Sequence, residues 1–275
     1  MRIALVQFKI QPLLTDKNIE RAERFLKISK EKGADLVIFP EEFLAGPLRR
    51  LTPQFGDSEF KYREIFCELA KKYRIDIVPG TIVEKECEQY FNVAYYIDSF
   101  GNVKCRYKKI HIYNTELRYV SRGSHPCVFT TKFDRTGLAI CWDLAFPELF
   151  RQLLFKKATL IIVPSHWSFI YSYIPKSWNT KHENEFLESL LYARAFENEA
   201  VIAYCNAGGE YSFSKYKEVL IGHSQVISPL IGTIQKCSHN KEAILIADND
   251  KKILKRAERI YKIRRRINEI RTYYK

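Results

Sequence analysis

The sequence predicts a layered α/β protein with mixed sheets. Short apolar runs of strand length alternate with amphipathic segments of helix length through most of the 275 residues. One turn signal, Asp98-Ser-Phe-Gly101, joins two such runs directly, so hairpins interrupt the alternation and the sheets must be mixed. A chain that is 46% hydrophobic and 14% aromatic can bury one large core, which makes it globular rather than disordered.

Taken in order, Ile3 to Phe8 is an apolar strand. Asp16 to Lys32 is charged, with Ile19, Ala22, Phe25, Leu26 and Ile28 at helical spacing, and Gly33 stands where a C-cap is expected. Asp35 to Phe39 is a second buried strand, Glu59 to Tyr73 a helix and Ile75 to Val83 a strand. Phe91 to Ile97 and Val103 to Tyr107 form the antiparallel pair around the turn. Gly137 to Ile140 is a buried strand, and Pro147 with Glu148 opens a helix running to about Lys157, where proline costs no hydrogen bond and an acid suits the dipole. Strand Thr159 to Val163, helix Glu183 to Asn198 and strand Ala200 to Cys205 follow, then strand-like segments Glu218 to Ile227 and Ala243 to Ala247. No internal repeat, low-complexity stretch or linker breaks the chain.

The formal charge of +13 resembles that of a nucleic-acid binder until it is located. Residues 251–275 carry eleven basic and two acidic residues, so +9 sits in the tail and only +4 in the body. Within the tail Ile253, Ala257, Ile260, Ile263, Ile267, Ile270 and Tyr274 recur at threes and fours, which predicts one basic amphipathic helix. Docking on the protein's own surface or a sister subunit is one reading of that helix, and contact with nucleic acid or an anionic membrane is the other. Seven scattered cysteines without a C-x-x-C pair disfavour a disulfide framework or a zinc ribbon, and six histidines offer no H-E-x-x-H, so neither a metal nor another cofactor is expected. The first residues read as a strand without a basic, apolar and cleavable leader, and no stretch reaches about 18 apolar residues; the expected place is the cytoplasm.

Chemistry points to Thr136 to Arg151, TGLAICWDLAFPELFR. Cys141 ends an apolar strand ahead of a helix, where a thiol is exposed at a sheet edge beside backbone N–H groups able to face an oxyanion. A lone cysteine is as readily a small buried hydrophobe. Glu41 follows one strand in DLVIFPEEF and Lys109 another in RYKKIHIYNTE, so both can face one cleft with Cys141. A thiol is only a few per cent ionised at neutrality: a carboxylate helps to remove its proton, and an ammonium holds the oxyanion. The adjacent Glu42 falls on the opposite side of an extended chain and reads as a supporting or surface carboxylate.

These segments resemble the nitrilase, or carbon-nitrogen hydrolase, superfamily. Phe39-Pro40-Glu41, Lys109-Ile110-His111 and Cys141-Trp142-Asp143, leading to Phe146-Pro147-Glu148, stand in the family's order. Glu116 sits like its second active-site glutamate, Tyr192 to Asn198 resembles the ARAxEN helix, and Gly222 to Pro229 resembles the GxSxIxxP strand. The resemblance implies a four-layer α-β-β-α sandwich over residues 1–248, ahead of the basic helix 249–275 that the spacing predicts, and a homodimer or higher homo-oligomer. It also implies hydrolysis of a non-peptide carbon-nitrogen bond through a thioester. By that resemblance Glu41 is the general base, Cys141 the nucleophile, Lys109 with the N–H of Trp142 the oxyanion stabiliser, and Glu116 the group that orients substrate and Lys109.

Ala145 replaces an arginine frequent in the family, which removes one means of recognising a carboxylate, and the Pro-rich ending common there is replaced by the basic tail. Trp167, Tyr171, Tyr173 and Trp178, in the aromatic stretch Ser165 to Lys181, either wall the pocket or pack an interface. Arg49 and Arg50 either hold a substrate carboxylate or face solvent. The expected substrate is a small amide or N-carbamoyl compound. The alternatives are a nitrile hydrolase, a glutaminase subunit feeding ammonia to a partner, and an idle binding protein that works through its tail.

Overall fold

A computed structural model describes residues 1–169, 179, 181–213 and 216–270. The first half runs β1 (Arg2–Gln7), α1 (Thr15–Glu31), β2 (Leu36–Ile38), a helical turn α2 (Thr52–Phe55), α3 (Lys61–Tyr73), β3 (Asp76–Val78), β4 (Thr81–Glu86), β5 (Gln89–Ile97) and β6 (Val103–Lys108). The second half runs β7 (Val128–Thr130), β8 (Arg135–Leu138), α4 (Pro147–Phe155), β9 (Leu160–Ser165), α5 (His182–Glu197) and β10 (Val201–Asn206). It closes with β11 (Glu210–Phe213), β12 (Tyr216–Val219), β13 (Gln225–Ser228), β14 (Gly232–Lys236), β15 (Ala243–Asp248), α6 (Lys251–Tyr261) and α7 (Ile263–Glu269).

Two mixed sheets form. The first orders its strands β15-β1-β2-β3-β5-β4, with β6 also paired to β5; the second orders them β14-β13-β10-β9-β8-β7. The parallel centres, β1-β2-β3 and β8-β9-β10, are buried on both faces, and antiparallel strands flank them. Successive side chains on a strand point to opposite faces, so β1 divides its apolar residues between two cores. Ile3 and Leu5 cluster with Ile162 and Ala203 between the sheets, while Ala4 and Val6 pack with Ala22 and Leu26 of α1 and Phe66 and Ala70 of α3. On the far side Leu149, Phe150 and Leu153 of α4 and Leu187, Leu191 and Ala195 of α5 cover the second sheet. The result is the four-layer α-β-β-α sandwich.

Several boundaries differ from the sequence reading. The strand expected over Ile75 to Val83 is two, β3 and β4, because Pro79-Gly80 turns the chain and Gly80 adopts φ 56°. The segment Glu218 to Ile227 likewise splits into β12, which pairs with β11, and β13, separated where Gly222 and His223 take φ 67° and 56°. Strands β7, β11 and β14 escaped the reading because each is short and weakly apolar. Cys105 and Cys127 are disulfide-bonded, one cross-link between the two sheets rather than a framework. Among the described residues no helix is long and apolar enough to cross a membrane.

The tail is two short helices, not one. Asp250 caps α6 by accepting the Lys252 N–H at 2.8 Å, and Lys262 breaks the run with left-handed φ 57°. The Glu199 carboxylate accepts the N–H groups of Ile263 and Arg264, at 3.0 and 3.1 Å, where α7 begins. Arg264 reaches back to the carbonyls of Asn198 and Ala158. The break rotates the apolar stripe, so Ala257 and Ile267 are buried against the body while Ile260 and Ile270 stay exposed. Tyr274 lies outside the described residues.

Candidate active site

Three chain segments converge at one end of the sandwich. Glu41 follows β2 across Pro40, Lys109 follows β6, and Cys141 opens a 3-10 turn, Cys141–Ala145, three residues past β8. Strand ends can project polar groups without interrupting a sheet ladder, which is why all three chemistries sit there. The Lys109 side chain is 0% exposed, with its nitrogen 2.7 Å from Glu41 Oε1 and 2.8 Å from Glu116 Oε2. Glu41 is also buried, and it accepts the Asn92 side-chain amide on Oε1 at 2.9 Å and the His166 backbone N–H on Oε2 at 3.0 Å.

Burial alone disfavours a charged Lys109, but Glu116 and Glu41 overcome it and hold the ammonium well above its usual range. Burial and then the Glu41 carboxylate push the Cys141 thiol well up, against the pull of Lys109 and Ser165. Cys141 is therefore a neutral thiol near a carboxylate, and a thiol in that state attacks only once a base removes its proton. Cys141 itself holds φ 42°, so its backbone is strained.

The motif residues around this centre work through Asp143. Its buried carboxylate accepts the Tyr107 hydroxyl at 2.8 Å, the Ile140 N–H at 2.8 Å and the His111 N–H at 3.0 Å, and contacts His111 Nδ1 at 2.8 Å. This ties the lysine segment to the cysteine turn. His111 stacks on Phe146 with ring centroids 3.8 Å apart. Arg194 of α5 donates to the Leu144 carbonyl at 3.1 Å and pairs with Glu197 at 2.9 Å, which braces the same turn from behind. Ser224 bonds Asn206, and Asn206 Oδ1 accepts the Trp167 N–H at 2.8 Å, so the strand motif near β13 positions a pocket wall.

Glycines set the approach of both charged groups. A Cβ on Gly80 would lie 1.8 Å from the Pro40 carbonyl oxygen, and one on Gly123 would lie 2.2 Å from the Lys108 carbonyl oxygen. We expect Gly80→Ala to cost about 2–4 kcal/mol through its left-handed backbone and this clash. Urea unfolding checks the figure, and a loss below about 0.5 kcal/mol would show that the junction before Glu41 yields freely.

The pocket over Cys141 is a cavity of about 110 Å³ lined by Glu42, Arg49, Tyr113, Glu116, Tyr119, Trp142, His166, Trp167 and Glu183, among others. Trp142 and Trp167 lie with centroids 5.6 Å apart, Tyr113 stands edge-on to Trp142 at 5.0 Å, and Trp167 Nε1 donates to Glu183 at 2.8 Å. Trp167 thus walls the pocket; Tyr171, Tyr173 and Trp178 lie outside the described residues. Arg49 lines the pocket in an ion pair with buried Glu218, and Arg50 is exposed. Glu42 departs from the reading: its φ is 51° rather than extended, and its carboxyl lines the pocket instead of turning to the surface.

Sequence reasoning did not find Asn92, His166, Tyr211 or Glu218. His166 contacts the Tyr211 hydroxyl at 2.8 Å, which donates to Glu218 at 2.8 Å. None of these sits in a motif linked in sequence to Glu41, so only the fold brings them to it.

A family model for carbon-nitrogen hydrolases matches residues 2–258. The chain belongs to the carbon-nitrogen hydrolase family. This hydrolase is 28% identical over 251 residues to the 2-oxoglutaramate amidase of Bacillus subtilis, covering 90% of each chain. It is 26% identical over 274 residues to the omega-amidase NIT2-A of Xenopus laevis, covering 96% of this chain and 94% of that one. Its fold matches the crystal structure of a carbon-nitrogen hydrolase from Helicobacter pylori G27 with TM-score 0.88 at 22% identity, over 96% of this chain and 94% of the other. The molecule is a thiol-dependent carbon-nitrogen hydrolase.

Proposed function

We propose that this hydrolase cleaves a small primary amide or N-carbamoyl compound through a thioester on Cys141. One observation carries the reading: a buried ammonium bridges two carboxylates within the electrostatic reach of a neutral thiol, at the floor of a small aromatic pocket. The amidase names of the two relatives support the same substrate class.

In the first half-reaction Sγ of Cys141 attacks the carbonyl carbon while its proton passes to Glu41. The carbonyl oxygen becomes an oxyanion facing the Lys109 ammonium and the Trp142 N–H. As the tetrahedral adduct collapses, Glu41 returns the proton to the departing nitrogen, and ammonia or an amine leaves. Water then attacks the thioester with Glu41 as base, releasing the acid and restoring the thiol. Glu116 holds Lys109 alongside Glu41 and keeps its charge in place.

The test is ammonia release and product analysis over a panel of primary amides, N-carbamoyl compounds and the matching nitriles. Turnover of an amide or N-carbamoyl compound is the expected result, and turnover of nitriles alone would overturn it. The α5 face carrying exposed Phe186, Tyr192 and Phe196 is the surface we assign to a homodimer. Light scattering should report twice the 32.4 kDa chain mass, and a monomer at micromolar concentration would contradict the assignment.

A further inference from the structure

The charges that line the pocket are unequally committed. Lys109 is satisfied by Glu41 and Glu116, and Arg49 is in an ion pair with buried Glu218. Glu183 accepts the Trp167 indole N–H at 2.8 Å and lies 3.4 Å from His182. Glu42 differs: among the described residues its carboxyl accepts no hydrogen bond and forms no ion pair, although it lines the same cavity as Cys141. Its backbone is held, because the Glu42 N–H donates to Thr81 Oγ1 at 3.0 Å at the start of β4.

The walls around it are Tyr113, Tyr119, Trp142 and Trp167, whose ring faces attract cations. Among the described residues each cation at this site has carboxylate partners, whereas the Glu42 carboxyl forms no ion pair. A substrate with a terminal carboxylate would have to compete with Glu218 for Arg49 and face Glu42 and Glu183 unscreened. A substrate with a terminal ammonium would supply the missing countercharge.

We infer that the pocket selects an amide whose far end carries a positive charge, with Glu42 as the residue that reads it. The inference rests on the amide-hydrolase reading and deepens it by naming the substrate class. Burial, then Glu41 and Glu116, push the Glu42 carboxyl well above its usual range despite Lys109, as happens to an acid without a cation of its own. A bound ammonium relieves that shift and draws Glu42 into its ionised form. Aromatic walls meanwhile desolvate the alkyl chain between ammonium and amide.

Three chain-matched amides test this on wild-type enzyme: δ-aminovaleramide, valeramide and glutaramate, which end in an ammonium, a methyl and a carboxylate. We expect kcat/KM for δ-aminovaleramide to exceed that for valeramide by about tenfold and that for glutaramate by about a hundredfold. In Glu42→Gln the ratio of δ-aminovaleramide to valeramide should fall to about one, a readout that does not depend on the absolute rate. Equal rates for all three amides, a preference for glutaramate, or an unchanged ratio in the variant would each overturn the inference. Cys141-dependent ammonia release from valeramide upholds the amide-hydrolase reading whatever the ranking. Absence of such release from all three amides removes both readings together. The wild-type comparison stands even if the variant fails to fold.

Discussion

Cys141→Ala should lower amide hydrolysis by at least about 10⁴-fold while the protein stays folded, since no second nucleophile can form the thioester. The remaining rate reflects a water attacking at a site that still holds Lys109 and Glu41. Stability should change little. Cys141 lies in the inter-sheet core but is 8% exposed at the pocket, and alanine loses only the sulfur. That loss is about 1 kcal/mol, or about 2–4 °C in Tm for a chain of this size. Ammonia assays paired with thermal melts check both halves. Residual turnover within tenfold of wild type would remove Cys141 from the mechanism, and a variant that does not fold would show a structural role instead.

Lys109→Met has the largest combined effect. Methionine fills the volume but leaves Glu41 and Glu116 facing each other without the cation that lies 2.7 and 2.8 Å from them. Breaking one partner from a buried ion network costs about 3–5 kcal/mol, and loss of the oxyanion partner should reduce kcat by about 10³-fold. The stability deficit depends on pH with a definite sign. Burial already raises the Glu116 carboxyl and Lys109 pulls it down; removing the lysine raises it further. A carboxyl whose native pKa lies above its unfolded value favours the folded state when protonated. The deficit is therefore smallest in acid, where both states bind the proton, and grows as pH rises through the raised native value. Urea unfolding at about pH 5 and pH 7 should show the smaller gap at the lower pH, and an equal gap at both would contradict the arrangement.

Much of this molecule was legible in its residues. Helix α1 fell within a residue or so of its expected ends, because its apolar residues keep a 3.6 period and Gly33 closes it with φ 74°. Ile3 to Phe8 was legible as an apolar strand, whereas the division of its side chains between two cores was set by the layers packed on either side. Cys141, Lys109 and Glu41 were legible as a set because each follows a strand in its own short motif, and Glu116 joined them only through the family resemblance. The tail was misread at Lys262: the apolar spacing continues through it, and nothing local signals a left-handed residue there. Its break coincides with Glu199 capping α7 and Arg264 anchoring to Ala158, contacts across 64 and 106 residues of sequence.

Glu42 illustrates the same limit at the site. In an extended chain, neighbours such as Glu41 and Glu42 point to opposite sides, and period-two reasoning assigns the second one to a supporting or surface role. The structure instead turns the chain at Glu42, ties its N–H to Thr81 and carries its carboxyl into the pocket. The residues by themselves determined what short-range chemistry determines: most of the longer strands and helices, and which residues could attack, accept a proton or hold an oxyanion. The tertiary structure decided which carboxylates share the buried Lys109 ammonium, which arginine is already paired, and which acid is left facing the pocket. Those outcomes depend on distances between residues remote in sequence, and electrostatic pairing and desolvation are set by such distances rather than by order along the chain.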